Sequence, residues 1–155
     1  MGYEIHLSRF TEDLQNEIPI TRLDWLQCVQ EIEGVKLIEG ESTFNSIDTY
    51  SEKYKQWIPV FWIREDGSGF MRASGFFGGD VSYERGIEIA THLNAFIYGD
   101  EGEIFYLPGY GIVYDDVERE NPEINLEDLQ RYKSQLGNDY KTAAGVPDSV
   151  GPAHH

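Results

Sequence analysis

The chain opens on a period-two pattern. In Tyr3-Glu4-Ile5-His6-Leu7-Ser8-Arg9, Tyr3, Ile5 and Leu7 share one face and Glu4, His6 and Ser8 the other. This predicts a half-buried strand with its polar face in water. Residues 10–19 carry no pattern and read as loop. The period then becomes helical. Thr21 stands as N-cap with Asp24 three positions on. Leu23, Leu26, Val29 and Ile32 follow at helical spacing, flanked by Trp25 and Cys28, and Gly34 is a natural stop. A short strand is expected over 35–39 and a polar loop over 40–53. Trp57-Ile58-Pro59-Val60-Phe61-Trp62-Ile63 is the most apolar run. It predicts a core strand with Pro59 near its start or at an edge. A turn at 65–69 and a returning strand over 70–77 complete a β-hairpin, which Gly78-Gly79-Asp80 breaks.

Ser82 is expected to cap a second helix with Tyr83, Ile87, Ala90 and Leu93 on one stripe, Gly86 allowing close packing and Asn94 ending it. Residues 95–98 read as a strand, 99–102 as a tight turn and 103–107 as the partner strand. Pro108-Gly109-Tyr110-Gly111 is another turn, and 112–114 extend the sheet. Residues 115–125 look acidic and irregular. A third helix opens at Asn125, with Leu126, Leu129 and Leu136 at helical spacing, and Gly137 closes it. The order of elements predicts an α+β fold: a mostly antiparallel sheet with two or three helices packed on one face. Residues 1–137 form a single domain in this reading, and 138–155 a flexible C-terminal tail. His154 and His155, at its end, are assigned no function.

Length and composition sharpen this. A chain of 155 residues suits one core. Its 28 acidic residues face 12 basic ones, for a formal charge of −16, beyond the magnitude of about 2–8 that solubility asks of a small domain. Such a field repels nucleic acid and anionic membrane and attracts basic proteins. A generally acidic or halophilic proteome produces the same total. Cys28 is the sole cysteine, which excludes an intramolecular disulfide and a thiolate-rich zinc site and suits a reducing cytoplasm. No secretory leader and no apolar run long enough for a membrane span is visible.

Catalytic chemistry finds little purchase. No serine sits in a nucleophile elbow, and Cys28 lies within a helical apolar stripe, as a buried structural thiol does. His6 and His92 are read as exposed and do not show zinc-ligand spacing. The glycine pairs at 67–69 and 109–111 are turns without a phosphate-binding signature. Gly99-Asp100-Glu101-Gly102-Glu103 lacks the ligand alternation of an EF-hand loop. No catalytic residue, metal or cofactor is expected, so the chain reads as a binding protein, not an enzyme.

One constellation remains. Between Ile97 and Asp128 stand ten acidic residues against one basic, Arg119, interleaved with Tyr98, Tyr106, Tyr110 and Tyr114. Tyrosine supplies rigid amphipathic contact area and carboxylates steer a basic partner. Asp100, Glu101, Glu103, Tyr110, Tyr114, Asp115, Asp116 and Glu118 are the candidate contact residues. A sheet whose tyrosines pack inward and whose acids face water fits the same pattern.

The run Tyr3-x-Ile5-His6-x-x-Arg9, then Pro19-Ile20 with Trp25 in a capped helix, then Gly86-Ile87-Glu88-Ile89-Ala90-x-x-Leu93-x-Ala95 leading into Gly99-Asp100-Glu101-Gly102-Glu103-x-Phe105, resembles a group of small uncharacterised bacterial proteins. These look like the immunity proteins encoded beside polymorphic or contact-delivered toxins. The resemblance spans roughly 3–107 and brings no catalytic residues. It implies a cognate protein toxin as partner, a basic nuclease being the kind that acidic residues would suit. The alternative is a small regulatory or ligand-binding module with an aromatic pocket near Trp57, Phe61 and Trp62. An enzyme would require buried titratable groups converging in one cleft.

Overall fold

The computed structural model describes residues 3–11, 16–40, 44–109, 111–112, 114–116 and 119–120. Tyr110, Glu118, the expected third helix and the expected tail lie outside them.

Strand β1 (Glu4–Phe10) runs through the middle of a nine-stranded sheet. It pairs antiparallel with β6 (Gly69–Arg72) on one side, Leu7 opposite Gly69, and with β7 (Phe96–Gly99) on the other, Leu7 opposite Ile97. Beyond β6 lie β5 (Gln56–Ile63), β4 (Asn45–Ser51) and the edge strand β3 (Val35–Ile38). Beyond β7 lie β8 (Ile104–Leu107) and β9 (Gly111–Ile112), while β2 (Glu17–Ile18) pairs with the end of β1. Every ladder is antiparallel. The expected α+β architecture is therefore what the chain adopts.

Three helices supply one side of the core: α1 (Arg22–Glu31), α2 (Ala73–Gly78) and α3 (Ser82–Leu93). Trp25 and Cys28, Phe76, and Ile89, Ala90 and Leu93 join Ile5, Leu7, Ile47, Phe61, Met71 and Ile97 in one buried cluster. A side chain on Gly86 would place Cβ 2.5 Å from the Phe76 ring, so this glycine lets α3 lie directly on α2.

Several local expectations are corrected. In α1 the buried residues are Trp25 and Cys28, joined just past its end by Ile32 of the expected stripe, while Leu23 is 65% exposed. Both stripes have helical spacing, and the indole decides between them: Trp25 Nε1 donates to Gly67 O at 3.0 Å inside the core. The stretch expected to be a loop contains β4, which pairs with both β3 and β5. Its apolar signal is weak because Ser46, Asp48, Thr49 and Ser51 are buried. Ser46 bonds Asp48, Thr49 bonds Gly34 O and Ser51 bonds Asp80, which offsets their desolvation.

The returning strand β6 stops at Arg72, and 73–78 turn into α2 instead of extending the strand. Phe76 enters the core there while Phe77 packs edge-on to Phe105 at the surface. Val81, not Ser82, takes the cap position of α3, without a side-chain bond, and Ser82 is buried in the first turn. Pro59 sits in a half of β5 whose register runs with β4 alone, beside a shift in that ladder, so its missing N–H costs no second ladder bond. The acidic stretch is not wholly irregular: β10 (Tyr114–Asp116) pairs antiparallel with β11 (Arg119–Glu120).

Candidate binding surface

The β7–β8 turn holds three of the candidate contact residues. Gly102 N–H closes it onto Gly99 O at 3.0 Å, and Gly102 itself has φ +85°, a conformation glycine adopts without strain. Asp100, Glu101 and Glu103 are thereby brought to one end of β1. Asp100 turns inward. One carboxylate oxygen accepts the Glu4 backbone N–H at 2.9 Å and the other meets His6 Nε2 at 2.7 Å. Glu103 accepts the phenol of Tyr3, and the Glu101 N–H lies 3.1 Å from Glu103 Oε1. Burial, then the bond to Glu103, push the Tyr3 phenol well above the usual tyrosine range. Glu101 is left exposed.

Behind the turn lies a buried polar cluster that the alternation of β1 does not disclose. Glu4, His6 and Ser8 are all buried, so both faces of the strand are covered. The expectation of a solvated polar face, and of an exposed His6, is corrected: His6 is 0% exposed. Arg64, at the end of β5, reaches His6 Nδ1 with Nη2 at 3.0 Å and bonds Ser68 Oγ and Gly69 O through Nη1. Its guanidinium lies 4.5 Å over the Phe70 ring. Burial lowers the Arg64 pKa, opposed by Tyr98, Glu4, Asp66 and Glu17. The sequence signal for this cluster was an arginine following an apolar strand and a histidine inside one.

Donor chemistry orders the cluster. Guanidinium only donates, so Nδ1 of His6 accepts; Nε2 then carries the ring proton and donates to Asp100. Ligand atoms of Glu4, His6 and Asp100 lie within 4.8 Å of one another, close enough for a cation. A cation on Nε2 would move the proton to Nδ1, where it would face the Arg64 N–H donor. The arrangement is that of a buried hydrogen-bonded network.

The other candidates divide. Tyr114, Asp115 and Asp116 lie on β10, with Tyr114 opposite Glu120 and Asp116 opposite Arg119. Among the described residues this ladder is a sheet of its own. Tyr110 and Glu118 lie outside the described residues. Trp57, Phe61 and Trp62 do not line one pocket. Register puts Trp57 opposite Tyr50 and Phe61 opposite Ile47, three positions apart on β4 and so on opposite faces. Phe61 is fully buried on the helix side.

Among the described residues no helix is long and apolar enough to cross a membrane. Compared with models of known protein families, with curated proteins and with solved structures, the chain matches none.

Proposed function

We propose that this chain is an acidic binding protein that captures a basic partner protein, of the immunity type that neutralises a cognate toxin. The observation that carries the reading is the charge of −16, more than half of it between Ile97 and Asp128. The β7–β8 turn supports it in one respect. With Asp100 and Glu103 tied to Tyr3, Glu4 and His6, Glu101 is offered from a rigid base, and a preorganised contact loses less entropy on binding.

The test is co-expression with the product of the neighbouring reading frame. Growth protection and a stable complex are expected, with affinity falling steeply from low to high salt and weakened by Asp115→Lys with Asp116→Lys. An affinity indifferent to salt would remove the electrostatic mechanism.

A further inference from the structure

The buried apolar residues fall into two groups. The helix-side cluster takes the buried apolar side chains of α1, α2 and α3 together with Leu7, Phe61 and Ile97. Phe70, Phe96, Tyr98, Ile104 and Leu107 are buried too, but lie outside it. Register sets Phe70 of β6, His6 of β1, Tyr98 of β7 and Ile104 of β8 in one row across the sheet, on the face opposite Leu7. Every member of this row is 0–1% exposed.

Phe10 packs beside the Tyr98 ring at 6.1 Å between centroids, Phe44 edge-on to Phe70 at 5.3 Å, and Arg64 over Phe70. These touch the row singly, whereas His6, Tyr98 and Ile104 together have no exposed surface. The exposures belong to one chain alone, so the cover is part of the chain itself. The described helices are committed to the opposite face. Beyond Glu120 the sequence offers a segment with the pattern of a cover: Leu126, Leu129, Tyr132 and Leu136 fall at helical spacing between Asn125 and Gly137. As a helix, 125–137 would be about 20 Å long, against about 15 Å across four adjacent strands.

We propose that residues 125–137 fold as a helix on this second face and set Leu129, Tyr132 and Leu136 against Phe70, Tyr98 and Ile104. The sheet is then the middle layer of three, and the Arg64–His6 pair is sealed between sheet and helix. Tyr114, Asp115 and Asp116 fall on the connection from β9, at the sheet edge, to this helix. The acidic stretch is thereby held at both ends, which fixes where its carboxylates can meet a partner.

The test uses the isotopically labelled full chain. Nuclear Overhauser contacts are expected from the methyls of Leu129 and Leu136 to the rings of Phe70 and Tyr98. Contacts from those methyls to Phe77 and Phe105 instead, or none to the sheet at all, would overturn the proposal. Contacts seen only between differently labelled chains would assign the cover to a second copy and overturn it equally. Tyrosine nitration gives an independent reading. Tyr98 should react slowly in the parent and several-fold faster in Leu129→Asp, while Tyr106, bonded to Thr91 on the helix side at 2.9 Å, stays slow in both. A Tyr98 equally slow in both proteins would sink the idea. Should both tyrosines become fast, Leu129→Asp has unfolded the chain, and the methyl contacts of the parent decide.

Discussion

Arg64 holds His6 from behind, Nη2 to Nδ1 at 3.0 Å, while His6 holds Asp100 in front, Nε2 to Oδ1 at 2.7 Å. The imidazole thus links a buried cation just after β5 to a carboxylate in the β7–β8 turn across the central strand. Replacing His6 by Phe keeps a ring in place but removes both links. Arg64 then loses an acceptor where water cannot replace it, a loss of about 1–3 kcal/mol. Asp100, whose side chain is 20% exposed, turns partly to solvent and adds less. Denaturant unfolding should show His6→Phe less stable by this amount. His6→Phe with Arg64→Met should lose less than the two single losses combined, because they share one interaction. Additive losses would mean that the two residues are not coupled.

Gly86→Ala tests the contact between α2 and α3. Helix propensity alone predicts a gain of about 1 kcal/mol. The new methyl would stand 2.5 Å from Cε1 and 2.7 Å from Cζ of Phe76, a ring buried at 0% exposure. Overpacking of this kind costs about 1–3 kcal/mol, so the net effect is destabilising. Phe76→Leu in the Gly86→Ala background should recover part of the loss, read as a rise in the midpoint of thermal unfolding relative to Gly86→Ala alone. A Gly86→Ala protein as stable as the parent would show that the helices separate freely.

Much of this fold was legible because apolar periodicity marks it. β1, β5, α3 and the β7–β8 hairpin were expected within a residue or two of where they lie, and Asn94 ends α3 with φ 55°. The misses share a cause: buried polar groups whose partners are distant in sequence. The pattern over β4 looks like loop because Ser46, Asp48, Thr49 and Ser51 resemble solvated residues until Gly34 and Asp80 arrive to bond two of them. The alternation of β1 puts His6 in water because nothing near it announces Arg64, 58 positions away. In the acidic turn, the residues were legible but their direction was not. Asp100 and Glu103 resemble Glu101 in sequence, yet only Glu101 is left exposed.

The N-cap of α1 should make the protein sensitive to acid. Burial raises the Asp24 pKa, but the Thr21 N–H at 2.8 Å, the Thr21 hydroxyl at 3.0 Å and Arg9 at 2.7 Å outweigh it and hold the carboxyl below its usual 3.8. A lowered folded pKa stabilises the protein above the ordinary carboxylate value, and the contribution fades as pH falls through the folded one. Asp24→Asn should therefore lose stability at neutral pH, by about 0.3–1 kcal/mol for a carboxylate in the first helical turn, and the difference from the parent should shrink below pH 3.8. A difference that stayed constant into acid would assign the loss to packing instead of charge.

Cys28 predicts the opposite response at the alkaline end. The thiol is fully buried in the core beside Trp25. Burial pushes its pKa from 9.0 up to about 12, with Asp24 and Glu31 adding to the rise and Arg9 opposing it. The folded value lies above the unfolded one, so the contribution is complete below pH 9.0 and lost as pH climbs towards about 12. Thermal midpoints should fall across that window. Cys28→Ala should make the fall shallower, although Tyr3 and Tyr83, both raised by burial, retain part of it. The same burial keeps the thiolate from forming in the native state, so a disulfide reagent at neutral pH should label Cys28 only as fast as the core opens. Labelling at the rate of a free thiol would mean that α1 lifts from the sheet readily, and the core described by Trp25, Cys28 and Ile32 would have to be redrawn.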